Sequence, residues 1–235
     1  METLLSDSIK ENLARVVERI DHAEISAGVE RGTVRLVGVT KSRTVEEIEA
    51  AVSAGLGDIG ENRLQEAASK LPGLSLPVTK HFIGHLQRNK VKDVLRLFDF
   101  IQSVDSGRLT RAIDEQAGRL GTRARILIQV NTSREESKFG VEPELAGDLV
   151  ELIAGCHNLE LLGLMTIGPL SENTADVVKS FRALRSLFEE FASLTADNCR
   201  MEILSMGMSS DFEIAIAEGA NMVRVGTAIF GPRCY

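Results

Sequence analysis

The chain has 235 residues, 43% hydrophobic and 26% charged, which is ample material for one sizeable α/β core. Its 34 acidic and 27 basic side chains leave a net charge of −7, so no basic field is available to wrap a nucleic-acid backbone. No apolar run approaches the roughly 20 residues that cross a bilayer, and the opening METLLSDSIKEN carries acids where a secretion signal needs positive charge, so the sequence predicts a cytoplasmic protein that engages neither nucleic acid nor membrane.

Residues 8–31 place Ile9, Leu13, Val16, Val17 and Ile20 at three- and four-residue spacings among charged residues, which predicts a leading amphipathic helix. The β-rich run VRLVGVT (34–40) is followed by the helical pattern TVEEIEAAVSAG, LGDIGE (56–61) by NRLQEAASKL, and KHFIG (80–84) by LQRNKVKDVLRLF. DFIQSVD (99–105) then leads to GRLTRAIDEQAGRLG, ARILIQVN (124–131) to PELAGDLVELIAG, and LELLGLMTIG (159–168) to TADVVKSFRALRSLFEEF. MEILSM (201–206) with SDFEIAIAEG, and finally MVRVGT (222–227), complete eight strands. Cys156, Cys199 and Cys234 are odd in number and widely separated, which argues against a disulfide framework or thiolate zinc site; two read as core thiols and one as terminal.

Several strands are continuous apolar runs, as expected of parallel strands covered by crossover helices. Eight units of about 25 residues suit one strand, one helix and two short loops each. The predicted fold is a closed (β/α)8 TIM barrel with a leading amino-terminal helix, in a single domain spanning residues 1–235. The rival is an open doubly wound sheet, whose first strand would often feed a glycine-rich turn; here it feeds Thr40, Lys41, Ser42 and Arg43.

In a barrel of this kind functional groups collect at the carboxyl ends of the strands. Lys41 stands there behind LVGVT, where desolvation would lower its pKa and make it a usable amine nucleophile; the competing reading is a rim lysine paired with an acid such as Glu61. Strand two delivers Glu61 and Asn62, and strand three His81 and His85. These histidines need not share a face and lack a convincing third ligand, so no metal is expected. His85 could contact a ligand ring, His81 is read as structural, and His22 and His157 as surface residues. After strand seven, Gly207, Ser209 and Ser210 precede a helix beginning near Asp211, where N–H groups and hydroxyls can receive an anion. Strand eight directs Arg224 and Gly226 to one side, and Thr227 adds further donors. Read singly, the serines are helix caps and Arg224 is half of an ion pair inside the barrel. Read together with Lys41, they are an amine, a phosphate cradle and a fixed cation at one mouth.

The segments TKSRTVEEIEAAVSAGLGDIGENRLQEA, HFIGHLQRNK, IQSVDS, SKFGV, GLMTIG and LSMGMSSDFEIAIAEGANMVRVGTAIFG, in that order, resemble the pyridoxal-phosphate homeostasis protein family over nearly the whole chain. The resemblance implies the barrel of the amino-terminal domain of alanine racemase, with pyridoxal 5′-phosphate held as a Schiff base. By motif matching, Lys41 would carry that link, Ser209, Gly226 and Thr227 would hold the phosphate, and Arg224 would face the pyridine nitrogen. Asn62, His85 and Met165 would line the ring. Lys138 in SKFG is also a family position, either a second amine for cofactor exchange or a plain loop lysine.

A guanidinium facing the pyridine nitrogen would leave that nitrogen without its own proton and weaken the ring as an electron sink. Racemases that resemble this barrel use a tyrosine base from a second domain, whereas the one tyrosine here, Tyr235, is terminal. The expected role is therefore intracellular homeostasis of pyridoxal phosphate: holding it on Lys41, supplying it to apo-enzymes and so affecting amino- and keto-acid balance, as a monomer or weak dimer. The alternatives are a weak pyridoxal-phosphate-dependent amino-acid racemase, a barrel phosphatase or isomerase in which Lys41 is a clamp or base, and a regulatory protein docking partners on its leading helix.

Overall fold

The computed structural model describes residues 2–135, 137–171, 173–193 and 196–232, so Cys234 and Tyr235 lie outside the described residues. The alternation read from the sequence forms as α1 (Glu2–Ser26), β1 (Arg35–Val39), α2 (Val45–Ser53), β2 (Asp58–Glu61), α3 (Leu64–Lys70), β3 (Thr79–Phe82), α4 (Val91–Leu97) and β4 (Phe100–Val104). It continues through α5 (Gly107–Leu120), β5 (Ala124–Gln129), α6 (Ala146–Ala154), β6 (Leu159–Met165), α7 (Thr174–Phe191), β7 (Cys199–Ser205), α8 (Phe212–Ala217), β8 (Met222–Val225) and α9 (Thr227–Phe230). The strands run in sequence order around a closed parallel barrel. Leu36↔Val223 and Val37↔Arg224 join β1 to β8, and Val39↔Gly60 joins β1 to β2. This is the (β/α)8 architecture that the patterning predicts.

Two apolar regions follow from the alternation of strand side chains, which slips by one residue in β6 where the register shifts between Leu161 and Gly163. One set, including Ile101, Ile126, Ile128, Leu161 and Leu164, faces outward and packs under the helices. A smaller set, Phe100, Leu127, Leu162 and Met165, fills the barrel interior. Burying such side chains contributes about 1.5–3 kcal/mol each, offset by the ordering of the chain.

The leading helix is part of this packing. Ile9, Leu13, Val16 and Ile20 are buried, and α1 lies against α2, α8 and α9. Asn12 donates to the Ile229 carbonyl at 3.0 Å, and the Arg19 guanidinium lies 4.5 Å from the centre of the Phe212 ring. The docking-stripe alternative thus meets a stripe already used by the barrel. Val17 departs from the prediction and is 44% exposed, because the packed stripe is narrower than the apolar pattern. The helix also stops at Ser26 instead of residue 31, since Gly28 and Gly32 adopt positive φ. The Glu24 carboxylate then accepts the Gly32 and Val34 N–H groups and turns the chain into β1. Among the described residues no helix is long and apolar enough to cross a membrane.

Candidate functional site

A cavity of about 460 Å³ opens at the carboxyl ends of β1, β7 and β8. It brings together five of the predicted residues: Lys41, Ser209, Arg224, Gly226 and Thr227. Arg43, Ser210 and Leu170 share its lining, and Leu170 is 90% exposed at the rim. Its size is that of a small-ligand pocket.

Lys41 is half-buried and follows β1 in a tightly held turn. Ser42 has φ 61, a left-handed conformation that costs a non-glycine residue about 1–3 kcal/mol unless its surroundings impose it. They do: the Ser42 N–H donates to the Glu66 carboxylate, and the same carboxylate lies 2.7 Å from the Lys70 ammonium. Lys70 is buried and also donates to the Thr40 carbonyl at 2.7 Å. Its third partner is Glu61, at 2.8 Å. The acid considered for Lys41 is therefore engaged by Lys70 and by the Thr40 hydroxyl. Burial pushes the Glu61 carboxyl above the usual range, against the opposing pull of Lys70 and Thr40. On the other side, Arg43 donates to the carbonyls of Gly231 and Pro232 at 2.5 and 3.1 Å, tying the segment after α9 to the rim.

The opposite wall is a backbone cradle. Ser209 Oγ accepts from the N–H groups of Gly226 at 3.2 Å and Ala228 at 3.4 Å, so two main-chain donors at the start of α9 converge on one oxygen. Gly207 enables the turn that brings Ser209 there: its φ is +92, and a Cβ would stand 2.6 Å from Ala215 Cβ and 2.9 Å from the Phe212 backbone. Asp211 stands at the start of α8 but its carboxylate turns back into the loop, accepting the Met208 N–H at 2.6 Å.

Arg224 is buried inside the mouth, where it donates to Ser205 Oγ and to the Thr166 carbonyl, both at 2.7 Å. Burial lowers its pKa to about 10, with the Asp211 carboxylate opposing the shift. It therefore remains a cation at neutral pH, unable to accept a proton.

The other predicted contacts stand outside this cavity. Asn62 follows β2 and, extending the Val39↔Gly60 register, lies level with Lys41; its Oδ1 is buried with no hydrogen-bond partner among the described residues. His85 is exposed, pairs with Asp105 at 3.3 Å, stacks on Phe139 with ring centres 3.9 Å apart, and lines a separate groove. Met165 ends β6 within the interior cluster. Lys138 is bonded to Glu135 and to the Gly168 carbonyl, both at 2.8 Å, and joins the loops that follow β5 and β6. His22 and His157 are exposed, Cys199 is buried, and Cys156 is half-buried where a core thiol was expected. Sequence reasoning missed Lys70, Ser205 and Thr166. Inward parity on β7 could have singled out Ser205, whereas Lys70 reads locally as an ordinary helical partner of Glu66.

The family model for the alanine racemase N-terminal domain matches residues 6–234. A pyridoxal phosphate homeostasis protein of Aquifex aeolicus is 43% identical over 226 residues, covering 96% of this chain and 98% of the relative. Among solved structures, PipY of Synechococcus elongatus with PLP bound aligns with TM-score 0.80 and 34% identity, over 95% of this chain and 100% of that one. An alanine racemase of Clostridium difficile, 18% identical, aligns with TM-score 0.72 over 94% of this chain and 57% of its own, a likeness of fold alone.

Proposed function

The chain belongs to the pyridoxal phosphate homeostasis protein family, and from that premise we propose that it holds pyridoxal 5′-phosphate as a Schiff base on Lys41 and releases it to apo-enzymes. The observation that carries this reading is the convergence of Lys41, the Ser209 cradle and the buried Arg224 cation on one cavity. The donor set fits the group. The main-chain N–H groups of Gly226 and Ala228 already converge on the hydroxyl oxygen of Ser209, and that hydroxyl together with Thr227 would supply donors to phosphate oxygens. Asn62 stands outside the cavity lining but level with Lys41, and its partnerless Oδ1 would be the acceptor for a ring hydroxyl if its side chain turned toward the mouth. When bound, the cofactor supplies an aldehyde that condenses with a primary amine and a ring that can withdraw electrons.

The protein's own residues set which of those properties is used. The turn braced by Lys70 and Glu66 aims the Lys41 amine into the cavity mouth. The donors at the start of α9 would hold the phosphate, and Arg224, always a cation here, would meet a ring nitrogen only as a donor. A ring whose nitrogen carries no proton is a poor electron sink, so this arrangement favours storage over carbanion chemistry. Supply to recipient enzymes would then affect amino- and keto-acid balance.

The test is a pyridoxal phosphate titration followed by borohydride reduction and peptide mass spectrometry. An absorbing adduct reduced onto Lys41, with transfer of the unreduced cofactor to an apo-enzyme, is the expected result. A reduced adduct on another lysine, or none, would defeat the reading, and sustained turnover of a single-enantiomer amino acid would replace it with the racemase.

A further inference from the structure

The barrel interior is not filled by aliphatic side chains alone. From Arg224 on β8, a line of buried polar groups runs through β7, β4 and β3 to half-buried Asp58 at the start of β2. Arg224 Nη1 donates to Ser205 Oγ at 2.7 Å, and Ser205 Oγ donates to Gln102 Oε1 at 2.8 Å. Gln102 Nε2 lies 2.9 Å from His81 Nδ1, and His81 Nε2 lies 2.8 Å from Asp58 Oδ1.

Chemistry fixes the direction of every link. A guanidinium can only donate, so the Ser205 oxygen accepts and its hydrogen goes to Gln102. The Gln102 amide is oriented twice, by Ser205 at its oxygen and by Met222 Sδ at 3.2 Å from its nitrogen. His81 Nδ1 therefore accepts and carries no hydrogen, and Nε2–H donates to Asp58. The His81 ring is fully buried and stacked on Phe100, with centres 4.7 Å apart. No apolar neighbour can replace a lost partner, so a change at one link passes to the next.

We infer that Ser205, Gln102, His81 and Asp58 are positioning residues that orient the Arg224 guanidinium for the ligand at the mouth, so that the hydrogen-bonding state of His81 and occupancy of the mouth influence each other. This coupling is reciprocal by thermodynamic linkage. Asp58 is the charged group facing the His81 ring, and Arg35 lies 3.9 Å from that carboxylate. The inference rests on reading the mouth as a pyridoxal phosphate site.

Imidazole nitrogen NMR on the full chain tests it. Without ligand, His81 should show a bare Nδ1 and a protonated Nε2. Arg224→Lys should move the Nδ1 resonance in the ligand-free protein, and saturation of wild type with pyridoxal phosphate should move it too. Gln102→Glu, close to isosteric, removes the amide donor that faces Nδ1; it should move the Nδ1 resonance and weaken cofactor binding roughly tenfold, the lower end of what outer partners commonly cost. Ser209→Ala should weaken binding while leaving ligand-free His81 unchanged. A protonated Nδ1 in wild type, or a signal unmoved by both Arg224→Lys and Gln102→Glu, overturns the inference. A signal that moves in those variants when no absorbing adduct forms leaves the chain standing as a means of orienting Arg224 and defeats the cofactor reading instead. An adduct that forms without moving His81 defeats the coupling alone.

Discussion

The ammonium of Lys70 lies 2.7 Å from the carbonyl oxygen of Thr40, so a buried cation grips the peptide that leads directly into Lys41. The same ammonium neutralises Glu61 at 2.8 Å. Lys70→Met should therefore cost about 3–5 kcal/mol, because it strands a buried carboxylate. It should also loosen the turn that carries Lys41. Urea unfolding measures the first effect and the yield of borohydride-trapped cofactor the second. The double variant Lys70→Met with Glu61→Leu should recover most of the stability but not the trapping; equal recovery of both would remove the positioning role.

The raised pKa of Glu61 has a definite pH signature. Between its unfolded and folded values the native state holds a proton that the unfolded chain has released, so this group's contribution to stability falls as pH rises through that window. Glu61→Gln lacks the titration. The stability of wild type relative to Glu61→Gln should accordingly decline as pH rises above the ordinary carboxylate range, then level off. Denaturant midpoints across that interval decide the matter, and a rising difference would contradict it.

Lys41→Ala should abolish the absorption of the bound cofactor and its reducible adduct. Lys41 is half-buried at the rim, so unfolding free energy should stay within about 0.5–1 kcal/mol of wild type. Circular dichroism and a urea curve check that separation. An adduct that persists points to another amine, with Lys138 tested next by Lys138→Ala.

At the phosphate wall, Ser209→Ala deletes the oxygen on which the Gly226 and Ala228 N–H groups converge. Retention of the cofactor should fall by about 1–3 kcal/mol, read as the dissociation constant. Gly207→Ala should behave differently. Its Cβ would stand 2.6 Å from Ala215 Cβ at a φ of +92, so the loop between β7 and α8 must shift and stability should fall along with binding. A Gly207→Ala protein of unchanged stability would show that this turn does not need glycine.

The strands, their order and the mouth were legible in the residues because they rest on local rules. Continuous apolar runs such as VRLVGVT and LELLGLMTIG mark strands buried on both faces, and a lysine or serine directly after one marks the rim. Lys41, Ser209 and Arg224 could thus be brought to one place before any coordinates were known. The extent of α1 was less legible, because Val17 satisfies the helical spacing and yet faces water, and because Glu24 reaches forward to turn the chain at Val34.

Pairings between distant segments were decided only in three dimensions. Lys70 and Thr40, Gln102 and Ser205, and His81 and Asp58 are each separated by at least 23 residues of chain. No local pattern reports such a contact, since it exists only when barrel closure fixes strand register and brings inward-facing groups level. The sequence by itself determined which elements form and which chemical groups reach the mouth, because periodicity and strand-end position act over a few residues. Which buried charge each group meets, and in which direction each hydrogen bond runs, was decided by the closed barrel, because a polar atom excluded from water must take whatever partner packing places within its reach.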